Sequence, residues 1–253
     1  MWRPLKARSG QRGDVLDKIA KLELENARLL ESLSGIQQRF RQLARAVWRV
    51  EEDERRRLAR ELHDNLGQEL TALRLRLERL PAGEDRDAAV AIAAQALADV
   101  RNLSRLLRPP VLDDLGLEAG LEWLARRMRE DAGLPVRVTG SLDAELDDET
   151  ETLLFRIAQE GLTNVVKHAE ATRAEILLKR VADRLELRIR DNGRGFDAAR
   201  LSSGETSAGV GLAGMRDRVA LFGGELVVSS APGRGTTICA TISLSSMTGS
   251  GTS

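Results

Sequence analysis

From Val15 the apolar residues step along the chain by four and three: Val15, Ile19, Leu22, Leu29, Leu33, Ile36, Phe40, Leu43, Val47 and Val50, with Asn26 the one polar member of the series. This is the period of a coiled-coil seam, in which a single buried Asn fixes register and a two-stranded state at some cost in stability. The alternative is a helix packed on its own domain. A second stripe, Leu62, Leu66, Leu70, Leu73, Leu77 and Leu80, runs to a helix stop at Pro81 and Gly83. Whole heptads do not connect the two stripes, and Glu54 and Arg57 take core positions between them, so residues 51–58 predict local unwinding or a register shift. A further helix carries Val90, Ala93, Leu97, Val100, Leu103 and Leu107 before Pro109 and Pro110 end it. The result is a helical hairpin whose apolar face a second copy would complete as a four-helix bundle.

Beyond residue 110 the texture changes. Helical periods are expected near 115–131, 149–169 and 212–222, and strands near 135–139, 174–180 and 184–191, with a closing hairpin ELVVSS then TTICATISL. The fold class is therefore α+β: a dimeric helical hairpin with an N-terminal coiled coil, followed by an α/β sandwich. The expected divisions are a flexible N-terminus at 1–13, a coiled-coil helix at 14–50, a dimerising helical hairpin at 51–110, an α/β domain at 111–245 and a disordered polar tail at 246–253.

Composition narrows the function. Lys+Arg and Asp+Glu balance at 39 each, which provides no global field to recruit nucleic acid, and 3% aromatics with no tyrosine leave no stacking platform for single strands. Direct nucleic-acid binding is not expected. Cys239 is the single cysteine and no Cys/His cluster has zinc-ligand spacing, which suits a reducing cytoplasm. No apolar run reaches the roughly 18 residues of a membrane span, and the start lacks a signal-peptide core, so a cytoplasmic location is expected, with any signal delivered by an upstream sensor protein.

Candidate chemistry begins in ERRRLARELHDNLGQEL. At about 100° per residue His63 falls on the flank of the leucine stripe, open to solvent on a rigid scaffold, with Asp64 pointing away from the stripe and Gln68 on that same side. A neutral imidazole with one free nitrogen can attack phosphorus, and a neighbouring carboxylate can hold its tautomer and take the released proton. Gly67 costs roughly 1 kcal/mol relative to Ala in a helix interior, and is expected to leave the histidine face uncrowded.

In RLELRIRD, Asp191 is in phase with Leu185, Leu187 and Ile189, which points a carboxylate into an apolar layer; the amino group of an adenine is a natural donor to it. Gly193 and Gly195 of DNGRGF let the chain turn beside such a base. Thr236 is in phase with Ile238, Ala240 and Ile242, which puts its hydroxyl on the same side as Asp191. Glu160, Asn164, Lys167 and His168 form a polar strip on LLFRIAQEGLTNVVKHA. Mg²⁺ prefers oxygen ligands shared with ATP phosphates, so Asn164 is the expected direct ligand with Glu160 beside it, and Lys167 and His168 are candidate phosphate contacts. In GVGLAGM, Gly209 and Gly211 open a helix after a loop and offer backbone N–H groups to phosphates.

The segment 54–68 resembles the phosphoacceptor box of sensor histidine kinases whose response regulators carry LuxR-type helix-turn-helix domains, and LRPPVLDDLGLEAGLEWLA is similar to their interdomain segment. Residues 160–168, 191–195 and 209–215 resemble the N box and two glycine boxes of the Bergerat ATP-binding fold shared with gyrases, heat-shock chaperones and MutL proteins. Residues 202–208 would be its ATP lid. The resemblance implies a homodimeric, ATP- and Mg²⁺-dependent protein-histidine kinase that phosphorylates His63 and serves a response regulator, with phosphatase activity supported by Gln68. The other classes weighed are ATPase machines of the gyrase type, which lack a His-Asp helix upstream, and serine-directed regulatory kinases, which need no such box.

Overall fold

The computed structural model describes residues 9–142, 146–197 and 207–244. The tail expected at 246–253, residues 1–8 of the N-terminal stretch and residues 202–206 of the expected lid lie outside them. Two compact units, Met1–Val47 and Trp48–Ser253, divide the chain. The described part of the first is helical and belongs to α1 (Ser9–Glu61). Its seam is bare within one chain: Leu22, Leu29, Leu33, Ile36, Leu43 and Val47 are exposed, and Phe40 is 70% exposed.

In the second unit α1 continues without a break through 51–58, where the charge pattern predicted unwinding. The departure from α geometry comes later, in a π-helical turn at Leu62–Leu66 where the Gly67 N–H reaches back five residues to the Leu62 carbonyl. Then follow α2 (Gly67–Glu78) and α3 (Glu84–Leu107), which opens with Glu84, Asp85 and Asp87 at the positive end of its dipole. The two helices pack as the expected hairpin, and Leu66, Leu73, Leu80 and Ile92 remain exposed on it. Arg108 is extended, Pro109 follows, and Pro110 starts α4 (Pro110–Ala132), which kinks at Gly116 with φ 76°.

The sandwich comprises β1 (Val136–Thr139), α5 (Asp148–Asn164), a second π-helical turn at Val165–Ala169, β2 (Ala174–Val181), β3 (Arg184–Asp191), α6 (Ser207–Leu221), β4 (Glu225–Ser230) and β5 (Thr236–Ser243). The sheet order is β1-β2-β3-β5-β4, with β1 parallel to β2 and the other pairs antiparallel. Strand alternation sends Ile176, Leu178, Leu185, Leu187, Ile189, Ile238, Ala240 and Ile242 into one core with Leu121 and Leu124 of α4, Leu153, Phe155, Ile157 and Leu162 of α5, and Met215 and Val219 of α6. Glu175 and Arg190, out of phase, stay exposed on the uncovered face. A single helical layer on one sheet face is the two-layer sandwich expected.

The charged residues of 51–58 have a structural use. Glu52 and Arg156 are 7% and 5% exposed, and Arg156 donates to both Glu52 carboxylate oxygens and to the Leu107 carbonyl, at 2.7 Å for Nη2 to Oε2 and 2.6 Å for Nη2 to the carbonyl. Arg108 donates to Asp113 at 2.7 Å and to Thr152 at 3.0 Å, Arg56 donates to Asp113 at 2.7 Å, and Arg49 pairs with Glu149. Trp48 meets Phe222, the residue after α6, edge to face at 5.2 Å between ring centroids. The end of α1 is thus fastened to α4, α5 and α6.

Candidate functional site

Two sites come together in the second unit, one on the sheet and one on the helices. At the first, Gly161, Asn164, Val165, His168, Ala169, Ile189, Asp191, Gly195, Phe196, Leu212, Thr236 and Ile238 line a cleft. Its floor is the end of β3 and the start of β5, paired antiparallel, and its wall is the end of α5 with the π turn that follows. The turn begins one residue after Asn164, at a place where such turns recur in functional sites.

Asp191 is 6% exposed and lines this cleft, as its phase in the strand predicts. It also has a protein partner: Oδ1 accepts the Gly193 N–H at 2.7 Å. That bond folds the glycine segment against its own carboxylate. Gly193 is buried, and a Cβ there would lie 2.3 Å from the Ala169 carbonyl, an approach only glycine permits. Gly195 has φ 60°, and its Cβ would lie 2.1 Å from the Ala231 carbonyl. Backbone bonds clamp the segment from both sides, Arg194 N–H to the Ala169 carbonyl at 2.7 Å and Gly233 N–H to the Arg194 carbonyl at 2.6 Å. The Thr236 hydroxyl reaches the cleft and lies 3.0 Å from that of Ser230, which also accepts the Phe196 N–H at 2.9 Å.

The polar strip of α5 divides. Asn164 and His168 line the cleft, while Lys167 is exposed and is not among the lining residues. The π turn, with i to i+5 bonding, breaks the α spacing that placed all four on one side. Glu160 meets Asn164 instead at Gly211, where a Cβ would lie 2.8 Å from Glu160 Oε1 and 3.7 Å from Asn164 Nδ2. Gly211 and Gly209 both fall inside α6, which starts at Ser207, earlier than the helix expected near 212. The second glycine segment is therefore the opening of a helix, against which Glu160 and Asn164 are set.

Asn164 Nδ2 is buried without a hydrogen-bond partner among the described residues. An amide so placed costs free energy unless a ligand or ion completes it, and amide ends exchange roles on a flip. The donor set of one Asn and one Glu, with no cage of three acidic or His ligands among the described residues, suits a Mg²⁺ ion that shares phosphate oxygens. ATP fits the rest: an acceptor at Asp191, apolar walls at Ile189, Phe196, Leu212 and Ile238, and tight glycine turns.

Sequence reasoning missed Gly161 and the apolar walls. A Cβ at Gly161 would lie 2.9 Å from Ile189 Cδ1, so this glycine lets α5 approach β3 beside the cleft. The signal was an isolated glycine inside a strong helical pattern.

At the second site His63 and Asp64 lie in the first π turn, both exposed. They line a groove with Arg56, Ala59, Arg60, Ser104, Arg108, Pro110, Asp113 and Asp114. Asp64 is the next residue in the turn, and among the described residues no hydrogen bond joins it to the ring. Gln68 is exposed on α2, past the π turn and outside the groove lining. Gly67 is buried, and a Cβ there meets only the Leu62 carbonyl at 3.6 Å, so the expected uncrowding of the histidine face does not depend on it.

Known proteins resemble the chain in the same two places. A family described as histidine kinase matches residues 54–112, and one described as histidine kinase-, DNA gyrase B-, and HSP90-like ATPase matches residues 149–246. The sensor histidine kinase MctS of Rhizobium johnstonii is 37% identical over 212 residues. The chain belongs to the two-component histidine kinase family. The MctS match covers 80% of this chain and 46% of that protein, so the chain spans about half the length of its relative. Among solved structures, the histidine kinase domain of the Erythrobacter litoralis blue-light activated histidine kinase is 19% identical, with 73% of this chain and 96% of that one covered and a TM-score of 0.48. The histidine kinase AdeS of Acinetobacter baumannii is 18% identical over 73% of this chain and 98% of its own, with a TM-score of 0.40. No helix among the described residues is long and apolar enough to cross a membrane.

Proposed function

We propose that the chain is the kinase core of a two-component system, which phosphorylates its own His63 from Mg-ATP and passes the phosphoryl group to an aspartate of a response regulator. The observation that carries this reading is one chain holding an exposed histidine beside a carboxylate on a helical hairpin and, on its sheet, a cleft that brings Asn164, Asp191, Gly195 and Thr236 together. Adenine is taken by Asp191 and Thr236, with Gly193 and Gly195 shaping the turn beside it. Mg²⁺ is held by Asn164 with Glu160, and phosphates meet His168, Lys167 and the helix opening at Gly209 and Gly211.

An unprotonated ring nitrogen of His63 attacks the γ-phosphorus, the bond to the β,γ-bridging oxygen breaks and ADP leaves. Asp64 orients the ring and takes its proton. The phosphoryl group then moves to a regulator whose output domain is of LuxR type. In a separate hydrolytic step, Gln68 positions a water that attacks the phosphorus on the regulator's aspartate; the bond to the carboxylate oxygen breaks and inorganic phosphate leaves.

The working unit is a homodimer, closed by the bare seam of α1 and the exposed stripe of the hairpin, and an upstream sensor protein acts on that seam. Transfer is tested by mixing the labelled kinase with an isolated receiver domain. Label should leave the kinase and appear on the receiver as a base-labile acyl phosphate. Label retained on the kinase, with every candidate receiver unlabelled, contradicts the transfer step.

A further inference from the structure

Within one chain Ser104 is 2% exposed, in one row with the buried Ala93 and Leu97, whereas the neighbouring Leu103 of the apolar series is 53% exposed, on the side left for a second copy. A serine inside a helix ordinarily turns its hydroxyl back onto the carbonyl three or four residues earlier. Ser104 instead donates across the helix pair to the carbonyl of Ala59, at 2.8 Å and 45 positions away. A leucine in this row would bury more apolar surface. A hydroxyl there is tolerated because its partner is met, and what it adds is a directional bond that fixes one helix against the other.

The place of that bond matters. Ala59 is buried and lies four residues before His63, so its carbonyl is the one a regular α-helix pairs with the His63 amide. Two residues after Ala59 the α ladder ends, and the π turn carrying His63 and Asp64 begins. Its far end carries a second side-chain bond, Thr71 Oγ1 to the Gly67 carbonyl at 2.7 Å. Ala59 and Ser104 also line the groove that holds His63 and Asp64.

We propose that Ser104 is a positioning residue for His63. Its hydroxyl holds the last α-helical turn against α3 and so sets the height and rotation at which the π turn presents the imidazole. It touches neither ATP nor the reacting atoms and acts through the backbone. This rests on the reading of His63 as the phosphoacceptor.

The test uses the full chain with Ser104→Ala and Ser104→Thr, the second retaining a hydroxyl. Initial autophosphorylation rates are measured against Mg-ATP concentration, together with melting temperature and amide hydrogen exchange at Leu66 and Gly67. Ser104→Ala should lower the rate at saturating ATP about tenfold with KM for ATP within about twofold, because a small misplacement of the nucleophile acts on the chemical step alone. It should also speed exchange at Leu66 and Gly67, and Ser104→Thr should recover most of both. A Ser104→Ala rate within twofold of wild type, or equal rate losses in both variants with a raised KM and a lowered melting temperature, overturns the proposal. If wild type takes no label at all, the phosphoacceptor reading fails instead, and the exchange measurement still decides: unchanged exchange in Ser104→Ala removes Ser104 as the holder of the turn.

Discussion

Asp191 accepts from its own glycine segment with one oxygen and lines the cleft, so under the proposed function its charge serves both the turn and the bound adenine. Asp191→Asn keeps the shape and removes a charged acceptor worth about 1.5–3 kcal/mol. ATP affinity by calorimetry should fall roughly ten- to hundredfold, with the melting temperature little changed; normal affinity would make Asp191 a structural residue. A second residue carries a pH signature. Burial raises the Glu151 carboxyl above its ordinary pKa, against the pull of the Leu117 N–H that it accepts, while the nearby Asp148 adds to the rise. The folded state therefore holds this proton more tightly than the unfolded chain, and stability falls as pH rises from the ordinary carboxyl range through the raised value. Glu151→Gln keeps an acceptor for Leu117 and should flatten that fall in urea unfolding from about pH 4 to 7. At this scale Asp191 and Thr236 were legible because strand alternation needs only parity. Gly161 and Ser104 were not, because each is defined by the element facing it.

At the scale of elements, the fastening of α1 to the sandwich rests on the buried Glu52–Arg156 pair. Arg156→Ala strands a buried carboxylate and should cost about 3–5 kcal/mol in denaturant unfolding. Glu52→Leu with Arg156→Met together should cost well below the sum of the two single changes; additive losses would mean that the pair does not act as a unit. Helix and strand order was legible in the periods. Neither π turn was, since counting at 3.6 residues assumes i to i+4 bonding throughout, and for that reason Lys167 was placed with His168 on the cleft side. Residues 51–58 read as a weak coiled coil because Glu54 and Arg57 fall on core positions; in the structure Arg57 pairs locally with Glu54 and Glu61 on the surface, while Glu52 and Arg56 find partners more than 50 positions downstream that no local period could reveal.

At the scale of the molecule, the seam of α1 keeps strict heptad phase through Val50, and its exposure in one chain is what a dimerising helix presents. Deleting residues 29–35 removes one heptad and preserves phase, whereas deleting four residues turns the helix. Autophosphorylation should survive the first deletion and change sharply with the second; equal rates would leave the seam as a clamp with no part in control. The proposed function depends on His63 taking the γ-phosphoryl group. The most direct measurement is incubation of the wild-type chain and of His63→Gln with Mg-ATP labelled at the γ-phosphate. Wild type should acquire label that acid removes and base does not, and His63→Gln should acquire none. Label that survives acid, or that persists in His63→Gln, contradicts the account.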